Sequence, residues 1–219
     1  MAAAVRETAL KISEIFHSLQ GESSRVGLPT VFIRLSGCPL RCIWCDTAYA
    51  FTGGSNMSVA EVQDQVAQYG CTTVCVTGGE PLAQKGCLDL LRILCDAGYA
   101  VSLETSGALD LAGVDTRVAK IMDLKAPDSG ESEKNRWENL GELTAQDEIK
   151  FVLASKGDYD WARSVLLERK LDGICQVLFS PVAGQLDPAQ LAGWILRDRL
   201  PVRFQLQLHK LLWSNAKGR

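Results

Sequence analysis

Six short apolar runs, residues 30–35, 72–76, 100–103, 118–124, 148–153 and 175–179, alternate with helical stretches along this 219-residue chain. That alternation is the strongest constraint on the fold. Strands joined by helical crossovers pair in parallel, and the crossovers then cover the sheet. Ser58 with Glu61 three residues on has the pattern of a capping box and opens a helix through about residue 67. Leu88, Leu91, Ile93 and Leu94 fall on a second helix that stops near Gly98, and residues 159–168 and 188–196 are expected to be two more. Residues 202–208 are expected to close the series as a strand, residues 10–16 to add an extra N-terminal strand, and the polar stretch 128–145 to form an exposed connection. The units are too few for an eight-fold barrel. The expected fold is a mostly parallel α/β sheet, open or closed into a partial barrel, in one domain spanning 1–219.

The polar residues of this pattern collect where strands end: Cys38, residues 77–80, 104–106, Lys125, Ser180 and 205–209. In parallel α/β folds that edge carries the active site, built from loops after several strands. An enzyme is therefore expected.

The first strand runs into Gly37-Cys38-Pro39-Leu40-Arg41-Cys42-Ile43-Trp44-Cys45-Asp46-Thr47, a C-x3-C-x2-C loop. Thiolates at compact spacing are the usual ligands of iron–sulfur clusters. Three ligands for four irons leave one iron open for chemistry, by the logic that separates catalytic from structural zinc sites. Trp44 offers a flat face beside that position. Two other readings stand: a zinc site completed by His17 or Asp46, and ordinary buried thiols. For Cys71, Cys75, Cys87, Cys95 and Cys175, inside apolar segments, core packing is the expectation. That usage fits a reducing, cytoplasmic compartment better than a disulfide framework. Residues 1–5 contain no apolar run of the signal-peptide kind.

The formal net charge of −3 gives no electrostatic footprint for nucleic acid or an anionic membrane, and no apolar stretch approaches the roughly 20 residues of a spanning helix. No P-loop, G-x-G-x-x-G or H-E-x-x-H motif is present, so phosphoryl-transfer and hydrolytic chemistry lack support.

Thr77-Gly78-Gly79-Glu80-Pro81 places two glycines at a strand end, where backbone can approach a ligand closely; it can equally be a plain turn. Glu104 and Ser106 suit the ribose or amino-acid part of a nucleotide-like cofactor. Gln20 and Glu22 suit the edge of a nitrogen heterocycle. Arg34 can grip a carboxylate in two-point fashion or be a surface arginine. Lys125 and His209 are further strand-end candidates, each with a bland alternative.

Taken together, the cysteine loop, the Gly-Gly-Glu-Pro turn and Glu104/Ser106 resemble a radical S-adenosylmethionine (SAM) enzyme. Residues 16–22, 31–38, 44–47, 76–81, 104–107, 147–150 and 207–210 narrow the resemblance to the 7-carboxy-7-deazaguanine synthase family, over about residues 12–213. The resemblance implies a partial, open (βα)6-type parallel barrel with an N-terminal extra strand. It also implies radical ring contraction of 6-carboxy-5,6,7,8-tetrahydropterin to 7-carboxy-7-deazaguanine with loss of ammonia, in queuosine and 7-deazapurine biosynthesis. Cys38, Cys42 and Cys45 would hold a [4Fe-4S] cluster, and Thr47 a Mg2+ ion that substrate helps to ligate. Leu19, Gln20, Glu22, Arg34, Thr77 and His209 map to substrate contacts; Trp44, Gly79, Glu104, Ser106, Asp123 and Lys125 map to the SAM side. A protein electron donor such as a flavodoxin and a homodimer are also implied. The chain departs from the family pattern at Asp123-Leu124-Lys125, where many members have Ser-Pro-Lys, and at Ser180-Pro181, where many have Gln-Pro.

Overall fold

A computed structural model describes residues 7–214, 216 and 218. The expectations for residues 1–5 and for the terminal carboxylate of Arg219 lie outside them. A nine-stranded sheet organises the molecule: β1 (Ala9–Leu19), β2 (Pro29–Leu35), β3 (Ser55–Ser58), β4 (Thr73–Gly78), β5 (Ala100–Thr105), β6 (Ala119–Asp123), β7 (Glu148–Leu153), β8 (Gln176–Pro181) and β9 (Arg203–Phe204). Their spatial order is β3-β1-β2-β4-β5-β6-β7-β8-β9. From β2 to β9 every pairing is parallel, whereas β1 pairs antiparallel with both β2 and β3. The extra N-terminal strand is therefore present, and the sheet is the open parallel type expected.

Helix α1 (Val59–Ala67) carries the full capping box, with Ser58 Oγ accepting from Glu61 N–H and the Glu61 carboxylate accepting from Ser58 N–H at 2.7 Å. Helices α2 (Cys87–Asp96), α3 (Lys156–Arg169) and α4 (Pro188–Asp198) follow β4, β7 and β8. Val31, Ile33 and Leu35 of β2, Val74 and Val76 of β4, and Val101 and Leu103 of β5 form one core with the apolar faces of α1 and α2. Met122 of β6, Ile149 and Phe151 of β7, and Val177 and Phe179 of β8 form a second with α3 and α4. Because side chains alternate along a strand, this apolar outer face leaves Arg34, Thr77, Glu104, Asp123 and Lys150 on the inner one.

Two expectations need correction, and one element was not expected. Residues 128–145 are not a simple exposed connection. They form three short 3-10 helices, Pro127–Ser129, Ser132–Lys134 and Trp137–Glu142, with Ser129, Asn135 and Asn139 buried. Asn135 bonds both N–H and C=O of Lys125, and Asn139 bonds Leu111 N–H and the carbonyls of Gly107 and Leu109. Side-chain amides replace the apolar stripe that would have marked a helix. Residues 202–208 are not one strand: only Arg203–Phe204 pair with β8, and α5 (Leu208–Trp213) begins where a strand was expected. There Gln205 and Gln207 turn their side chains to the β1–β2 loop, and Leu208 N–H donates to Gly21 O at 2.9 Å. The short edge strand β3 gave no sign in the sequence.

Candidate functional site

A cavity of about 500 Å³ opens at the carboxyl ends of the parallel strands. All sixteen residues assigned a ligand from the sequence line it: Leu19, Gln20, Glu22, Arg34, Cys38, Cys42, Trp44, Cys45, Thr47, Thr77, Gly79, Glu104, Ser106, Asp123, Lys125 and His209. Ser180 does not; it is buried and its hydroxyl has no partner among the described residues.

The floor is a ring of polar side chains supplied by neighbouring strands. Arg34 of β2 is in register with Thr77 of β4, and Asp123 of β6 with Lys150 of β7. Between them Glu104 accepts from Thr77 Oγ1 at 3.0 Å and from Gln20 Nε2 at 3.2 Å. Lys125 Nζ stands 3.1 Å and Lys150 Nζ 3.5 Å from Asp123 Oδ2, and Lys150 Nζ also donates to Glu22 Oε2. Gln207 Nε2 donates to the other Glu22 oxygen at 2.6 Å. Burial, the largest single influence, would raise the Glu22 pKa, but the Lys150 ammonium, His209 and the Gln207 hydrogen bond together hold the carboxyl at about 2. Lys150 is conversely held well above its ordinary value: burial works against its charge, and Glu22, Asp123 and Glu104 restore it.

Arg34 has a half-buried guanidinium whose Nε donates to Glu14 at 2.7 Å, with Phe16 and Tyr49 rings 5.8 Å and 5.9 Å away. Tyr49 donates to the same Glu14 oxygen at 2.7 Å. The fork is thus oriented by its Nε side, leaving its terminal nitrogens as the end able to meet a carboxylate.

Cys38, Cys42 and Cys45 are free, half-buried thiols on the loop after β2. Gly79 fixes this loop: a Cβ there would lie 2.3 Å from Gly37 O and 2.7 Å from Cys38 Cβ, so only glycine lets the β4 turn approach. Gly78 likewise sits against Leu35, at φ 156°. Glu80 N–H donates to Gly37 O at 2.8 Å, closing the contact. Desolvation raises the Cys38 and Cys42 pKa values, while Lys125 favours both thiolates.

Glu80 itself is fully buried and does not line the cavity. Its carboxylate accepts from Thr105 Oγ1 at 2.9 Å, Ser106 N–H at 2.8 Å, Ser106 Oγ at 2.5 Å and Leu82 N–H at 3.1 Å. It staples the end of β4 to the end of β5. With its proton committed to Glu80, Ser106 Oγ can offer a ligand only an acceptor.

The donor set fits an iron–sulfur cluster with SAM. Three thiols share one cavity wall, and the buried Asp123 Oδ1, without a partner among the described residues, awaits a donor. Among the described residues no three His, Cys, Asp or Glu side chains are grouped to hold a single metal ion. The zinc reading also loses its proposed fourth ligands. His17 is exposed and stands beside Tyr69, outside the cavity lining, and Asp46 is paired with Lys210 at 2.9 Å.

The sequence pattern left Lys150 and Tyr49 without a site role. A signal for Lys150 was present: Glu148 and Lys150 share the inward parity of β7, and charges there need partners.

A profile of the radical SAM superfamily matches residues 32–130. The chain is 48% identical to the 7-carboxy-7-deazaguanine synthase of Chlorobaculum tepidum, over 97% of this chain and 98% of that one. It is 43% identical to the synthase of Koribacter versatilis, over 95% and 100%. Its fold is similar to the crystal structure of QueE from Escherichia coli, with a TM-score of 0.76 at 23% identity over 92% and 95% of the two chains. No described helix is long and apolar enough to cross a membrane. The polar ring, the three-thiol loop and these relatives agree, and the chain belongs to the 7-carboxy-7-deazaguanine synthase family of radical SAM enzymes.

Proposed function

We propose that this chain converts 6-carboxy-5,6,7,8-tetrahydropterin to 7-carboxy-7-deazaguanine and ammonia, for queuosine or another 7-deazapurine. The observation that carries this reading is one cavity holding both a three-thiol loop and a ring suited to a carboxylated heterocycle. Cys38, Cys42 and Cys45 would ligate three irons of a [4Fe-4S] cluster. When bound, the reduced cluster and SAM supply the radical that removes hydrogen from substrate; the protein binds, orients and excludes water.

On the cofactor side, Ser106 accepts a hydrogen bond, Glu104 and Asp123 take hydroxyl or ammonium donors, Lys125 balances a carboxylate, and Trp44 and Gly79 shape the wall. On the substrate side, Arg34 holds the carboxylate. Gln20 and Glu22 read the donor edge of the ring, and Leu19, Thr77 and His209 complete the contacts. Thr47 would be the protein ligand of Mg2+, with substrate supplying others. Carbon is conserved and one nitrogen leaves as ammonia, so the conversion needs no net oxidant.

The reading extends to a single domain over 1–219, a homodimer, a cytoplasmic setting and a flavodoxin-type electron donor. The test is anaerobic reconstitution with iron and sulfide, then reductant, SAM, Mg2+ and the pterin, with mass spectrometry of the products. Appearance of 7-carboxy-7-deazaguanine is expected. Uncoupled SAM cleavage without pterin turnover would point to another substrate.

A further inference from the structure

No motif gives Lys150 a ligand, yet it is the cation on which two sides of the cavity converge. Its buried Nζ bonds Glu22, on the loop after β1, and stands 3.5 Å from Asp123 of β6. Glu22 has no strand of its own to fix it. It precedes Ser23, whose φ of 67° marks a tight turn, and its carboxylate is held only by Lys150 and Gln207 among the hydrogen bonds of the described residues. Asp123 has a second cation, Lys125, at 3.1 Å. Loss of Lys150 therefore strips Glu22 of its one bonded cation, whereas Asp123 keeps Lys125.

We propose that Lys150 is the positioning residue that keeps Glu22 an oriented carboxylate, so that Glu22 meets the donor edge of the heterocycle as an acceptor. This rests on the substrate reading above. The groups facing Lys150 are Glu22 from the β1–β2 loop, Asp123 from β6, Glu104 from β5, and Lys125 just after β6. Those facing Glu22 are Lys150, Gln207 and His209 of α5. Two carboxylates in a part-buried cavity cannot both stay ionised cheaply on Lys125 alone. A protonated Glu22 would present a donor to a donor. Lys150 itself stays an ammonium, so it acts as a fixed charge and carries no proton in turnover.

The test is the dissociation constant of 6-carboxytetrahydropterin on the reconstituted, SAM-loaded protein from about pH 6 to about pH 8.5, a range that brackets a carboxyl pushed up by burial. Wild-type, Lys150→Met, Lys150→Arg, Glu22→Gln and the Lys150→Met/Glu22→Gln double variant are compared. The wild-type profile is the reference, and each variant is read as its ratio to wild type at the same pH, so that His209 is common to all. Lys150→Met should bind at least about tenfold more weakly at the acidic end and recover as pH rises, the signature of one shifted carboxyl. Lys150→Arg should stay within a few-fold of wild type, and SAM affinity should hold in all, because Asp123 keeps Lys125. In the Glu22→Gln background, Lys150→Met should add little. A Lys150→Met protein that binds pterin like wild type at every pH overturns the proposal, as does an equal, pH-independent loss in the Met and Arg variants. A wild-type protein that binds SAM but no pterin overturns the substrate reading, and the proposal with it.

Discussion

Gln205 clasps the backbone of Ser23 from 182 positions away: its Oε1 accepts from Ser23 N–H and its Nε2 donates to Ser23 O, both at 2.7 Å. Glu148 of β7 adds a grip on the next residue, accepting from the N–H and hydroxyl of Ser24. These bonds join the loop leaving β1 to the segment leaving β9 and to the start of β7. Gln20 and Glu22 lie on that loop, so the residues proposed to read the substrate depend on the seam.

Gln205→Ala should accordingly strip two buried backbone groups of their partners, at a cost of about 2–4 kcal/mol. Denaturant midpoints would register the loss. Pterin affinity should fall more than SAM affinity, since Ser106 is held by Glu80 and Asp123 by Lys125, neither of them part of the seam. Equal loss of both ligands would mean that the whole sheet had loosened.

Glu80→Ala tests a different staple. The carboxylate is fully buried and receives bonds from Thr105, Ser106 and Leu82. Its removal should cost about 3 kcal/mol, because hydrogen bonds to a charged group are strong and their donors would be stranded. SAM affinity should drop as well, for Ser106 would lose both its position and the acceptor that fixes its hydroxyl proton. Unchanged stability would show that the donors find other partners.

Cys42→Ala should abolish loading: two thiols on this loop cannot replace three, and the next cysteine, Cys71, does not line the cavity. Iron and sulfide content and the visible absorbance of the reconstituted protein report this directly. A full cluster complement in the variant would remove Cys42 from the ligand set.

Much of this was legible in the chain. The short apolar runs alternating with helical stretches gave the parallel sheet, the capping box gave α1, and the cysteine loop and Gly-Gly-Glu-Pro gave the strand ends that meet at Gly79. What stayed hidden has a common physical cause. Asn135, Asn139, Gln205 and Gln207 do through side-chain amides what apolar periodicity does elsewhere, and such bonds span separations that no local pattern records. The inward parity of Lys150 was legible, but its partner was not, Glu22 being 128 residues away.

Arg34→Ala should leave SAM binding intact and weaken the pterin by roughly 10–100-fold, the value of about 1.5–3 kcal/mol for a charge-assisted bond. Glu14 and Tyr49 would keep each other as partners, so stability should change little. Calorimetric titration of each ligand separates the cases. Parallel loss of both would make Arg34 a structural residue of the wall.

The pH dependence of folding isolates the Glu22–Lys150 pair. The Glu22 carboxyl is held at about 2, against an ordinary 4.5: burial, the largest single influence, pushes it up, and the charge and hydrogen bond of Lys150, with His209 and Gln207, together carry it below the ordinary value. Its native form thus binds the proton more weakly than the unfolded chain does. The stability it contributes is present above about pH 5 and is lost as pH falls through the folded value near 2, amounting to about 3 kcal/mol at most. Urea unfolding of wild type and Glu22→Gln at pH 7, about pH 5 and about pH 3 should show the wild type losing stability faster on acidification, since the amide cannot titrate. Other carboxylates contribute equally to both proteins and cancel in the comparison. Parallel pH profiles would mean that Glu22 titrates as an ordinary surface carboxyl, and that Lys150 does not hold it.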